Sequence, residues 1–203
     1  VEDAGRDTEV GLVVITGAGK AFCSGGDVDE FVSGTSQALS RTVATERYTM
    51  HRIVLAINSV EKPFIAAVNG VAAGGGCNLA LACDIRIASE KARFGQVFVR
   101  RGAYPDWGGA YFLPRLVGHA KAAELLFTGD FVDAQEGVRI GLVNHVVPHE
   151  ELMPHTYELA RKIASNALIP IGLVKRGLQS LCKMDLSQAL DYESYAIEVC
   201  RGT

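Results

Sequence analysis

The sequence predicts an α/β fold built on a parallel sheet with right-handed crossovers, and three observations predict it. Gly11–Thr16 (GLVVIT) is a β-branched run without the alternation of a half-exposed strand and reads as a strand buried on both faces, and Pro63–Val68 (PFIAAV), apolar and partly β-branched, reads as the next strand. A third run, Asp84–Ala88 (DIRIA), alternates charged and apolar residues as a further strand. Helical patterns separate these runs, and strands joined through helices pair in parallel.

In chain order, Val1 to Glu9 reads as the end of a helix and a turn, as though the chain begins inside an element. Gly11–Thr16 leads into Gly17-Ala18-Gly19-Lys20, where two nucleotide-binding motifs fail. A dinucleotide loop needs a third glycine where Phe22 stands, and a phosphate-binding loop needs Gly and Ser or Thr where Val14 and Ala21 stand. Ser24-Gly25-Gly26-Asp27 follows the next apolar stretch, with Asp27 placed to cap a short helix, Val28–Val32, before a polar loop, Ser33–Ser40. Val43, Met50, Ile53, Val54 and Ile57 recur at helical spacing and predict an amphipathic helix over Arg41–Asn58.

After the Pro63–Val68 strand comes NGVAAGGGCNLALACD, Asn69 to Asp84, with Gly74, Gly75 and Gly76 between strand and helix. The first amides of a helix lack internal partners and carry partial positive charge, so this junction can hold an anion. Small residues also let a helix pack close to a sheet. Phe94 to Leu116 is irregular, and helices are expected over His119–Phe127, Ala134–Ile140, Glu150–Asn166, Ile171–Cys182 and Leu186–Cys200.

Composition narrows the function. With 203 residues, 48% hydrophobic and 21% charged, the chain has enough apolar residues for a full core, and its net charge of −3 offers no nucleic-acid footprint. No apolar run approaches a membrane span and no signal-peptide pattern is visible at the N-terminus, so a cytoplasmic protein is expected, or one of an organelle whose targeting segment is not in this sequence. The five cysteines, Cys23, Cys77, Cys83, Cys182 and Cys200, contain no metal-type pair and read as core fillers. His145 and His149 are separated by Pro148, which stops a helix from aligning them, so no metal site is expected.

The segments VVITGAGKAFCSGGDVDEF, KPFIAAVNGVAAGGGCNLALACDIRIAS, ARFGQ, GGAYFLPRLVG, AKAAELLFTGD and EGVRIGLVNHVVP resemble, in order, those of the crotonase (enoyl-CoA hydratase/isomerase) superfamily. The resemblance implies a crotonase-like ββα spiral core over residues 1–148, and a helical C-terminal region over 149–203 that serves in trimerisation. A strand and helix before the core, and the last C-terminal helix, would be missing. It also implies homotrimers or dimers of trimers, acyl-CoA thioester substrates of fatty acid or aromatic acid catabolism, and no separate cofactor, because coenzyme A belongs to the substrate.

By motif position, the backbone amides of Gly26 and Gly75 are the implied oxyanion donors, flanked by Ser24, Gly25, Asp27 and Gly74. Hydratases of the family use two glutamates where this chain has Asn78 and Phe98, neither of which is a general acid or base. Asn78 is expected to meet ligand or water, and Phe98 to make one pocket wall apolar. Asp106, in Tyr104-Pro105-Asp106-Trp107-Gly108-Gly109, resembles the aspartate of PD-x-GG isomerases. Trp107, Tyr104 and Phe98 beside it would raise its proton affinity by desolvation. The alternative for Asp106 is a helix cap.

Asp27 reads chiefly as a cap and loop brace. Arg100 and Arg101 stand either at CoA phosphates or on a solvated face, Trp107 and Tyr111 line the pocket or pack, and Lys20 and Lys62 lie near the expected CoA channel. The implied reaction is an enoyl-CoA isomerisation with Asp106 as proton shuttle. The alternatives are hydratase-type or hydrolytic chemistry, or a non-catalytic acyl-CoA-binding subunit.

Overall fold

The computed structural model describes residues 1–26 and 51–202, without the side chain of Cys182. Asp27, the helix expected over Val28–Val32, the loop Ser33–Ser40 and the first part of the Arg41–Asn58 helix therefore lie outside the described residues.

Helix α1 (Glu2–Arg6) precedes β1 (Val13–Thr16) and β2 (Ala21–Cys23). Helix α2 covers residues 51–59, followed by β3 (Phe64–Val68), β4 (Val71–Ala73), α3 (Gly75–Ala82), β5 (Ile85–Ser89) and β6 (Arg93–Gly95). A 3-10 turn, Val97–Arg101, leads to α4 (Gly109–Val117), α5 (His119–Thr128), β7 (Phe131–Asp133), α6 (Ala134–Arg139) and β8 (His145–Val147). Helices α7 (Leu152–Ala164), α8 (Leu168–Ser180) and α9 (Leu186–Arg201) complete the order.

The strands form two sheets where the sequence predicts one. The first, β1-β3-β5-β8, is parallel throughout, with Val13 opposite Phe64, Ile65 opposite Ile85 and Ile87 opposite His145. The second, β2-β4-β6-β7, is parallel except for the antiparallel β6–β7 pair. Each of the first three turns of the chain gives one strand to each sheet, which is the ββα spiral. Strands of the second sheet have three residues each, too few for a period of two to show in the sequence.

Strand β3 explains why its run is continuously apolar. It lies between β1 and β5, and all five residues are buried. Strand β1, expected to be covered on both faces, is instead only partly buried with Thr16 exposed, because among the described strands it pairs on one side alone. Phe64, Ala66 and Val68 enter the core shared with the second sheet, α3, α4 and α5, while Ile65 and Ala67 enter a second core with Ile87, Leu152 and Ala160. Helix α7, assigned by sequence to the C-terminal region, thus closes the outer face of the first sheet.

Helix ends differ from expectation where proline is involved. Pro154 and Pro170 each stand in the first turn of a helix, where a missing N–H costs no internal bond, so α8 begins at Leu168 rather than Ile171. The irregular stretch Phe94 to Leu116 contains α4, whose Pro114 hides it from pattern reading. In α9, Asp185 accepts from Gln188 N at 2.9 Å and Gln188 Oε1 accepts from Asp185 N at 3.2 Å, a reciprocal cap. Because α9 buries none of its residues, Asp185→Ala should lower its local opening free energy by about 1 kcal/mol, read as faster amide hydrogen exchange confined to its first turns. Among the described residues no helix is long and apolar enough to cross a membrane.

Candidate active site

The glycine loops predicted to cooperate lie side by side. Asn69 prepares the first of them: its Oδ1 accepts from Gly17 N at 3.0 Å, and its Nδ2 donates to Gly19 O and Ala21 O at 3.0 and 3.2 Å. That bracket fixes the β1–β2 turn and sends the chain toward Gly25. There φ is +88°, and a side-chain carbon would stand 2.9 Å from Ala73 O and 3.3 Å from Gly75 N. At Gly76 such a carbon would fall 2.1 Å from Cys23 O. Only glycine permits both approaches. The space on the side-chain face of Gly26 is open among the described residues, and Ser24 beside it is exposed.

Gly74 caps α3 with φ +53° and donates its own N–H to Gly95 O at 2.9 Å. The next amide, Gly75, opens the helix and meets no backbone acceptor among the described residues, as helix geometry requires of a first-turn N–H. It therefore remains a donor beside the Gly25 loop, at the positive end of the α3 dipole.

The carboxylate comes to the same place. Measured from where a side chain on Gly75 would begin, Asp106 Oδ1 and the Trp107 ring are each 3.5 Å away. The Phe98 ring lies 3.6 Å from the equivalent point on Gly74 and is 9% exposed. Asp106 keeps one side open to solvent, but removal of water on the other pushes its carboxyl above the ordinary aspartate range. Its own backbone N–H and a charge on His51, in α2, oppose that rise. Trp107 has φ +47°, a left-handed conformation unusual for a bulky residue and of the kind that persists where surrounding contacts hold it.

A family model described as enoyl-CoA hydratase/isomerase matches residues 1–199. The chain belongs to the enoyl-CoA hydratase/isomerase family. A short-chain-enoyl-CoA hydratase of Clostridium acetobutylicum is 42% identical over 98% of this chain and 75% of its own length. A 1,2-epoxyphenylacetyl-CoA isomerase of Escherichia coli is 37% identical over 93% of this chain and 72% of its own. Among solved structures, an enoyl-CoA hydratase from Bacillus anthracis superposes with a TM-score of 0.91 at 38% identity, covering 100% of this chain and 77% of that one. The crotonase-like fold and an acyl-CoA-processing enzyme follow from these likenesses.

Several predicted members of this enoyl-CoA hydratase/isomerase site lie elsewhere or act differently. Asn78, expected at the ligand, is fully buried: Nδ2 donates to Asp106 O at 2.8 Å and Oδ1 accepts from Gln96 Nε2 at 2.7 Å. Asp106 is not a side-chain cap, because α4 is capped by Gly108 and it is the Asp106 carbonyl that takes the Gly109 N–H at 3.0 Å. Tyr104 is 79% exposed and forms no wall. Arg100 is engaged by Asp130 and the Thr128 carbonyl, and Arg101 is exposed.

Lys62 turns to the carbonyls of Ala4 and Asp7 rather than to a ligand channel, while Lys20 is exposed. Tyr111 carries the Arg115 guanidinium 3.6 Å from its ring centre. Cys77 and Cys83 are core residues whose thiols burial pushes up to about 12, whereas Cys23 and Cys200 are partly exposed. His149 Nδ1 lies 3.0 Å from Ser89 Oγ, and His145 stacks edgewise on His155. A surface groove of about 390 Å³ lined by Glu2, Arg6, Arg52 and Leu55 is separate from the glycine cluster.

Sequence reasoning missed Gln96 and Lys175. Gln96 follows Phe94-Gly95 in the ARFGQ segment and is 3% exposed, with Oε1 lacking a donor among the described residues, a burden of about 1–3 kcal/mol. No pattern in the sequence marks it as a partner of Asn78. Lys175 sits among the buried residues of α8, where its apolar neighbours hide it.

Proposed function

We propose that this chain isomerises an enoyl-CoA through a thioester enolate, with the Gly26 and Gly75 amides as oxyanion donors and Asp106 as proton shuttle. The observation that carries the reading is the Asp106 carboxylate beside Gly75, with its proton affinity raised by lost hydration. For a 3-enoyl thioester, Asp106 takes the C2 proton and the electron pair moves into the C2–C1 bond, leaving negative charge on the thioester oxygen between the two N–H groups. The resulting carboxylic acid then returns the proton to C4, the double bond moves to C2–C3 and the C1 carbonyl is restored. Preorganised donors of this kind lower the barrier because they meet charge only where it develops.

Asp106→Asn should lower kcat on 3-hexenoyl-CoA by about 10²–10⁴-fold while leaving binding of butyryl-CoA in place. Unchanged kcat would remove Asp106 from the reaction. The base must be ionised, so wild-type kcat/KM should fall as pH drops through a value above the ordinary aspartate range. Stability runs the opposite way. A raised folded-state affinity means that the folded protein holds this proton more tightly, so the cost of ionised Asp106 is present above its folded value and vanishes on acidification. The Asn variant should therefore melt higher than wild type near neutrality, with the difference shrinking at lower pH.

Hydration is the second reading, favoured by the 42% identical relative named a short-chain-enoyl-CoA hydratase. In it Asp106 would take a proton from water adding at C3. Crotonyl-CoA distinguishes the two, since it can gain water but offers no 3-enoyl double bond to shift. A hydrolytic outcome with Asp106 as base or nucleophile would release free coenzyme A. An acyl-CoA-binding subunit would bind these esters and turn over none.

Assembly as a homotrimer or dimer of trimers and a cytoplasmic setting belong to the same proposal. The apolar side chains exposed on α8 and α9, among them Leu178 at 74% and Leu186 at 76%, support assembly with further copies.

A further inference from the structure

We infer that Asn78 and Gln96 form a positioning pair that holds the Asp106 turn in its working geometry, an inference that rests on the Asp106 reading above. The Asp106 carbonyl accepts twice, from Gly109 N at 3.0 Å and from Asn78 Nδ2 at 2.8 Å. The next residue is Trp107, the non-glycine residue with positive φ among those described. Two donors on one carbonyl thus pin the peptide between the carboxylate-bearing residue and a residue in the left-handed region. At Gly109, an added side-chain carbon would fall 2.4 Å from Asn78 Nδ2, so the amide also sets how closely α4 approaches α3.

Orientation follows from the chemistry of each group. A carbonyl can only accept, so Asn78 must present its NH₂ to Asp106 and its Oδ1 to Gln96. Gln96 must in turn present its NH₂, at 2.7 Å, and its own Oε1 is left facing no donor among the described residues. Turning either amide over would set two oxygens or two NH₂ groups face to face. Packing alone would favour an apolar residue at Gln96, because an unpartnered buried oxygen is costly. What the amide supplies is a fixed orientation for Asn78, and through it a fixed Asp106.

The double substitution Asn78→Leu with Gln96→Leu keeps similar volume and removes the unpartnered oxygen. It should melt at or above wild type, yet lose about 10–100-fold in kcat on 3-hexenoyl-CoA with little change in KM, because a displaced base costs orientation rather than binding. Asn78→Asp supplies an independent readout, being an isostere that donates to Asp106 O only when protonated. Its kcat relative to wild type at the same pH should rise as pH is lowered.

A double variant that folds and turns over at the wild-type rate, beside an inactive Asp106→Asn, overturns the clamp and leaves the Asp106 reading intact. Should the double variant not fold, a flat Asn78→Asp ratio across pH overturns it equally. If Asp106→Asn is itself active, the underlying reading fails, and the clamp with it.

Discussion

Gly25→Ala is expected to lower kcat/KM for enoyl-CoA substrates by about 10²–10³-fold, the loss seen when one oxyanion donor is disabled. The added methyl would stand 3.3 Å from Gly75 N and 2.9 Å from Ala73 O, against backbone that cannot rotate away, at a φ of +88° that alanine rarely adopts. On the proposed reading, the methyl crowds the place where the acyl oxygen is gripped. Gly19→Ala is the matched control: it also has positive φ, +74°, but meets nothing within 4 Å among the described residues, so it should cost some stability and spare turnover. Equal effects of the two substitutions on kcat/KM, after correction for the fraction folded, would show that the convergence of the loops does not matter to the reaction.

Lys175→Met is expected to cost about 1.5–3 kcal/mol of stability in urea denaturation, because it removes a buried ammonium shared by two carbonyls and the more exposed Asp84 carboxylate. Lys175 is 6% exposed and its Nζ reaches three oxygens: Ile57 O at 2.8 Å, Lys62 O at 2.9 Å and Asp84 Oδ2 at 2.8 Å. The ammonium also lies 4.7 Å from the Phe64 ring centre, and the same Asp84 oxygen accepts from Phe64 N at 2.8 Å. One side chain on α8 therefore ties the end of α2, the entry to β3 and the turn before β5. Methionine would fill the volume and leave the carboxylate and both carbonyls without their shared donor. The neighbouring Arg176 pairs with Glu61 on the surface, so Arg176→Met should change stability by no more than about 1 kcal/mol. If the two substitutions prove equally mild, Lys175 is not an anchor.

The helix-capping, Asp106 and clamp predictions act at different depths. Asp185 concerns one exposed helix, Asp106 concerns the proton that moves, and Asn78 with Gln96 concerns where that proton's carrier stands. Separating them needs both stability and rate on each variant, because a loss of fold and a loss of alignment lower activity alike.

Much of this protein is local in origin and hence legible in its sequence. Apolar runs such as Gly11–Thr16 and Phe64–Val68 announce strands, but not which is covered on both sides: β3 is fully buried and β1 only partly, because that depends on what pairs and packs on each. Gly25 and the Gly74–Gly76 triplet announce close backbone approach, and the motif order carries the family. Phe98 and Asn78 announce by residue type alone that two positions lack ionisable groups. The split of the strands into two sheets, by contrast, depends on three-residue strands whose partners lie far away in sequence, so no local period records it. That Asn78 is buried against the Asp106 carbonyl, that Gln96 stands behind it, and that Lys175 is swallowed by the core were decided only when α3, α4 and α8 packed. A polar group's partner is set by what folding brings within hydrogen-bond reach, and that distance is not written in the spacing of residues along the chain.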